Sequence, residues 1–179
     1  MPSPVIVLKT DRLRLRQLNA DDAAFILELV NEPAWLQFIG DRGVRTLEDA
    51  RTYLVTGPVA MYARLGFGLW AVERKDGGAP VGICGLIKRD TMPDVDLGYA
   101  LLERFRGCGY AREAAAAALA HGRDTLKLAR VVALTSPDNE RSVRLLEKLG
   151  FRFERMIRLV ENKPESRLFV AVGQFELPG

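Results

Sequence analysis

Residues 12–16 read Arg-Leu-Arg-Leu-Arg, a period of two that predicts a half-buried strand with its arginines on a solvated edge or face. Residues 19–22 supply a cap and early acids for a helix with apolar positions Phe25, Ile26, Leu29 and Val30, ending near Pro33. No period runs through residues 31–46, where Trp35 and Phe38 stand among turn formers, so a loop is expected there. Thr46, with Asp49 three positions on, opens a second helix through Ala50, Tyr53 and Leu54 that Gly57 and Pro58 disturb. Three strand-like runs follow at 67–74, 81–88 and 95–102, separated by the turns KDGGAP and RDTMPD, and they predict an antiparallel meander.

The alanine-rich segment from Tyr110 to about Leu126 is a helix with one face of almost no bulk, able to sit close against a sheet. Residues 130–135 form a buried strand, parallel to 95–102 if the helix between them is a crossover. Asp138 or Asn139 caps a further helix, with Val143, Leu146 and Leu149 in register, and Gly150 stops it. Residues 151–160 and 166–172 pair as a last hairpin. The order β-α-α-β-β-β-α-β-α-β-β describes a mixed α/β domain with one parallel pair at its centre.

Composition narrows the function classes. A chain of 179 residues, 48% hydrophobic and 27% charged, fits a single domain, expected over 1–179, that buries its own core. No apolar run approaches the roughly 18 residues a membrane span needs, and the start lacks a basic and then apolar leader pattern, so a cytoplasmic location is expected. The net charge of +3 is scattered, which argues against nucleic acid as the primary ligand. Cys84 and Cys108 have no spacing suited to a zinc site or a disulfide framework.

The chemistry concentrates in RGCGYA, residues 106–111, between the third meander strand and the alanine helix. Glycines there permit a tight turn, the first amides of a helix lack partners, and the helix dipole adds positive potential, so the predicted ligand is a phosphate or diphosphate. The P-loop lysine with its following Ser or Thr is missing, as is the third glycine of the dinucleotide fingerprint.

What the stretch fits is Q/R-x-x-G-x-G/A, filled by Arg106, Gly109 and Ala111, and in this it resembles the acetyl-CoA pyrophosphate motif of the GNAT N-acetyltransferases. TDRLRLRQL at 10–18, VDLGYALL at 95–102 and SPDNERSVRLLEKLGFRFE at 136–154 resemble the RimJ/RimL-type branch, in the expected order. The resemblance implies a mostly antiparallel sheet of six to seven strands with a central splayed parallel pair, about four helices on it, and acetyl-CoA as cosubstrate without a metal. It further implies that the backbone of Leu101 and Leu102 holds the pantetheine arm, and that the amides of Arg106, Gly107, Cys108, Gly109, Tyr110 and Ala111 hold the pyrophosphate. Glu103 departs from the proline common among relatives, a change that removes rigidity and no functional group.

Amine acetylation needs a deprotonated amine, a polarised carbonyl and a proton for the departing thiolate. By resemblance Asp96 stands where many relatives carry a base, with Asp94 as the alternative, or either acid merely supports its strand. Asn139 and Ser142 fill the D/E-N-x-x-S pattern of the branch. Asn139 alone reads as a helix cap, while Ser142 stands where related enzymes keep a hydroxyl beside the cofactor sulfur. Trp35 and Phe38 are acceptor-side candidates, or they staple their loop to the core. Covalent chemistry at Cys108 is disfavoured, because the one histidine, His121, lies three turns along the same helix. The expectation is thus an acetyl-CoA-dependent acetyltransferase acting on a primary amine, a protein N-terminus or a small molecule, as monomer or homodimer. The alternative is a non-catalytic acyl-CoA-binding or sensor domain.

Overall fold

A computed structural model describes residues 3–172, so residues 1–2 and 173–179 of the expected domain lie outside the described part. Eight strands form one sheet in the order β1-β2-β3-β4-β5-β6-β8-β7. They are β1 (Ile6–Lys9), β2 (Leu13–Gln17), β3 (Leu69–Arg74), β4 (Pro80–Lys88), β5 (Val95–Leu101), β6 (Val131–Thr135), β7 (Phe151–Ile157) and β8 (Ser166–Ala171). Every neighbouring pair is antiparallel except β5 and β6. The count exceeds the expected six to seven because of β1, a four-residue edge strand with a register shift against β2. So short and exposed a run carries little alternation to read.

The helices also exceed the expected four. α1 (Ala23–Val30) follows a 3-10 turn that Asn19 and Asp22 close as a capping box. The predicted loop contains α2 (Pro33–Phe38), started by a proline at its first turn, where the missing N–H costs nothing. α3 (Leu47–Leu54), capped by Thr46 and Asp49, does not end at Gly57 and Pro58. One π turn, Val55–Val59, widens around the proline and the chain continues as α4 (Ala60–Leu65). α5 (Tyr110–Asp124) and α6 (Glu140–Lys148) complete the set.

Side chains alternate across the sheet, so it separates two cores. On one face Leu13, Leu15, Trp70, Val72, Leu86 and Leu97 pack against α5, whose Ala114, Ala115 and Ala118 are fully buried and let the helix lie close. A Cβ on Gly122 would already stand 3.2 Å from Leu86. On the other face Ala71, Ile83 and Ala100 pack with α1, α2 and α3.

The arginines of β2 are not simply solvated. Arg16 is buried, bonded to both oxygens of Asp22 at 2.8 and 2.9 Å and to Glu73 at 2.6 Å, which ties β2 to the turn before α1 and to β3. Removing one member would leave a buried charge unpaired, so the cluster acts as a unit.

Candidate active site

β5 and β6 pair only at Val95–Val131 and Asp96–Val132, although both strands run on. The pair is therefore splayed. Leu102 N donates to Val81 O on β4 and the Leu101 carbonyl is turned to Arg106. By the alternation of the strand, the peptide groups of Tyr99 and Leu101 and the Leu97 carbonyl then face the gap, while Leu102 is bound into the sheet. Of the expected Leu101–Leu102 pair, the Leu101 peptide group faces the gap and that of Leu102 does not. Leu102 is 1% exposed and part of the core beside α1.

A cavity of about 1030 Å³ fills the gap and is lined from both sides of the sheet, by α5 and α6 on one face and by α1, α2 and α3 on the other. It gathers Trp35, Phe38, Asp96, Leu101, Arg106, Gly107, Gly109, Tyr110, Ala111, Asn139 and Ser142 from the sequence-predicted set. Leu102 and Cys108 do not line it.

At its cofactor end Gly107 and Gly109 take φ of +78° and +82°, the left-handed region that favours glycine. Among the described residues no protein acceptor takes the amides of residues 107–112, which open α5. The Arg106 guanidinium points elsewhere, donating to Leu101 O at 2.9 and 3.1 Å and to Glu32 at 2.7 Å. Glu32, just before α2, also accepts from Glu103 N at 3.0 Å, so the loop and the helix carrying Trp35 and Phe38 are bolted together.

Arg12, expected to be a solvated arginine, is a second brace. It donates to Cys108 O at 2.9 Å, lies over the Tyr110 ring at 4.7 Å, and holds Glu113 of α5 through its side chain at 2.7 Å and its amide at 2.9 Å. Glu113 takes Thr10 Oγ1 as well. Burial pulls the Glu113 carboxyl up, but the bonds from Thr10 and Arg12 outweigh it and hold it below its ordinary range. Cys108 is exposed, its carbonyl engaged by Arg12. The lining carries seven basic and three acidic side chains; among the described residues Arg112 on α5 and Arg141, Arg144 and Lys148 along α6 have no carboxylate partner. This is the field a polyanionic cofactor requires.

At the centre, Ser142 Oγ lies 2.7 Å from the hydroxyl of Tyr99. Asn139 caps α6 by accepting from Ser142 N at 3.2 Å, which fixes the serine on the first turn. Burial pushes the Tyr99 phenol up to about 12, with the Ser142 bond acting against it. The phenol thus stays a proton donor at ordinary pH.

Asp96 belongs to the opposite face, with Ile87 and Ala100. It is 1% exposed and bonded to Arg89 at 3.1 and 3.3 Å. Burial pushes its carboxyl above the usual range and Arg89 pulls it back. Asp94 does not line the cavity and pairs with Arg130, which also holds Glu154. Trp35 both lines the cavity and staples its segment, donating from Nε1 to Gly40 O at 3.1 Å. Among the described residues no cluster of His, Cys, Asp and Glu has the form of a metal site, and no helix is long and apolar enough to cross a membrane.

Sequence reasoning missed Tyr99, Arg89, Glu32, Arg12 and Glu113. Tyr99 sits inside VDLGYALL and the Arg141, Arg144, Lys148 spacing is helical, so those two signals stood in the chain. Glu32 and the Arg12–Glu113 pair have partners far off in sequence, whereas Arg89 meets Asp96 seven positions on, across the turn from β4 to β5.

A splayed parallel pair, a glycine loop opening a helix and a cationic cavity through the sheet are joined by a direct likeness. Residues 12–152 match the acetyltransferase (GNAT) domain, and the chain belongs to that family. It is 32% identical to the Bacillus subtilis protein YkkB over 160 residues, 88% of this chain and 91% of that one. The N-acetyltransferase YoaA of Bacillus subtilis is 29% identical over 153 residues, 85% of this chain and 86% of the relative. Among solved structures, an acetyltransferase from Agrobacterium tumefaciens superposes with a TM-score of 0.79 at 25% identity, covering 95% of this chain and 96% of that one. RimL, the ribosomal L7/L12 alpha-N-protein acetyltransferase, in complex with coenzyme A, shares the fold with a TM-score of 0.80 at 18% identity, covering 96% and 99%. Acetyl-CoA-dependent acetyl transfer is general for the family.

Proposed function

We propose that the protein transfers the acetyl group of acetyl-CoA to a primary amine by direct attack with both reactants bound. The observation that carries this reading is the disposition of polar groups across the gap: Tyr99 and Ser142 reach it from the α5–α6 face, Asp96 from the opposite face. Acetyl-CoA enters from the first side, its pyrophosphate on the amides of residues 107–112 and its arm along Leu97, Tyr99 and Leu101. The amine comes from the second. Its nitrogen attacks the carbonyl carbon, the C–S bond breaks, and the thiolate takes a proton from the Ser142–Tyr99 pair. The proton lost by the amine passes, through water, to Asp96, whose raised affinity for protons suits it as acceptor. Holding the reactants in line supplies roughly 7 to 11 kcal/mol of the barrier reduction in favourable systems.

The test is thiol release from acetyl-CoA in the presence of a broad amine panel, alongside thermal unfolding. Saturation with acetyl-CoA at 100 times its Kd adds about 2.7 kcal/mol, a rise of roughly 5 to 10 °C for a chain of this length. Stabilisation with specific turnover supports the reading. Stabilisation with no turnover of any amine makes the protein an acyl-CoA sensor, and no stabilisation removes both.

A further inference from the structure

The acceptor half of the cavity has apolar walls, from Trp35, Phe38, Ile39 and Ile87, and a strongly one-sided charge. Asp96 is its one carboxylate on this face of the sheet, and Arg89 already neutralises it. The other two acids of the lining, Asp138 and Glu140 at the start of α6, are held by Ser136 at 2.6 Å and by Arg167 at 3.7 Å. Opposite them in charge stands Arg42, exposed in the segment between α2 and α3, lining the cavity and, among the described residues, bonded to no carboxylate. Asp41 beside it is taken by Arg45 at 2.5 Å. Arg42, Arg89 and Tyr53 all line the same chamber. Two guanidiniums therefore line the chamber, and a single carboxylate, Asp96, answers one of them.

An acceptor must complement that charge. A polyamine or an aminoglycoside would bring further cations against Arg42 with no acid to receive them, whereas a carboxylate would find a planar guanidinium fork that it can engage with two bonds. We infer that the acceptor is an anionic amine, a primary amine with a carboxylate close by, and that Arg42 is the residue that reads the carboxylate. This rests on the acetyl-transfer reading and names the substrate class for it. The carboxylate is that of a free amino acid or of an acidic side chain at the start of a peptide; the chemistry recognised is shared.

The experiment compares kcat/KM for five acceptors by thiol release: the peptide amides Ala-Asp-Ala-Ala-NH2, Ala-Asn-Ala-Ala-NH2 and Ala-Lys-Ala-Ala-NH2, free aspartate, and spermidine as the polycation. The Asp peptide or free aspartate is expected to exceed the Lys peptide and spermidine by about tenfold or more, as charge pairs across a binding surface commonly yield. Arg42→Ala should bring the Asp and Lys peptides to within about twofold, Arg42→Glu should invert their order, and Arg42→Lys should restore part of the preference. The preference should also shrink as salt screens it. Whether aspartate or the Asp peptide leads tells the two carboxylate sources apart. Equal or better turnover of the Lys peptide or spermidine, or a ratio unmoved by Arg42→Glu, overturns the inference and leaves acetyl transfer standing. Absence of thiol release with every amine, with acetyl-CoA still bound, overturns both.

Discussion

Gly109 offers the most direct test of the cofactor end, because its backbone and its surroundings make separate demands. Its φ is +82°, and a Cβ there would lie 3.2 Å from Arg12 Nη2. Holding a non-glycine residue in the left-handed region costs roughly 1 to 2 kcal/mol, so Gly109→Ala should lower Tm by about 2 to 8 °C and leave the protein folded. Gly109→Glu carries the same strain and adds a negative charge where the pyrophosphate is proposed to lie. Two unit charges 4 Å apart repel by about 1 kcal/mol in water and about 4 kcal/mol in a partly excluded site. Against two phosphate charges the penalty is about 2 kcal/mol or more, roughly thirtyfold in Kd beyond the Ala variant. Gly107→Ala is the control, since φ there is +78° but nothing stands within 4 Å of the added Cβ. Isothermal titration of acetyl-CoA into the three variants separates strain from charge. If Gly109→Glu binds acetyl-CoA within threefold of Gly109→Ala, the pyrophosphate does not sit on this loop.

Ser142→Ala and Tyr99→Phe should each lower kcat by about 10² fold or more with little change in acetyl-CoA affinity, and the double variant should lose far less than the product, because the two hydroxyls share one bond. Independent, additive losses in stopped-flow thiol release would separate them. Asp96→Asn should lower turnover by about 10² to 10⁴ fold and regain rate as pH rises and the amine deprotonates unaided; a flat response leaves positioning as the mechanism. The same substitution bears on stability. The Asp96 carboxyl is raised in the folded state, so its favourable contribution is full below the unfolded value of ~4 and fades as pH rises through the folded one. Urea midpoints of Asp96→Asn relative to wild type should therefore improve from pH 4 to pH 7. Glu113 has the opposite sign. Its lowered carboxyl stabilises above an unfolded value of about 4.3 and loses that contribution as pH falls through the folded value, so Glu113→Gln should narrow the gap to wild type in acid. A gap that is constant down to pH 3 would mean the Thr10 and Arg12 bonds contribute nothing.

Periodic and punctuated parts of the chain were legible. The meander, the alanine helix with its glycine loop, and the serine one turn into α6 each show in a few adjacent residues, and the family resemblance set them in order. Three kinds of feature were not. α2 is too short for a period, and its proline reads as a breaker until the helix is known to start there. Pro58 is absorbed by a π turn, although in sequence it reads as a helix breaker. Polar partners distant in sequence leave no spacing to read: Arg12 with Glu113, Arg106 with Glu32, Arg16 with Glu73. Arg12, Arg14 and Arg16 look alike in sequence, yet Arg12 braces the glycine loop and Arg16 is buried.

The bolt from Glu32 to Arg106 and the Glu103 amide carries a consequence of its own. One carboxylate fastens the segment that carries Trp35 and Phe38 to the turn that carries Gly107 and Gly109, so the two shift together. Filling the first berth stiffens the second before its guest arrives, and the entropy of ordering both is spent on a single arrival. On the proposed acetyl-transfer reading, the two guests should then bind with mutual advantage, which titration of either in the presence of the other would measure.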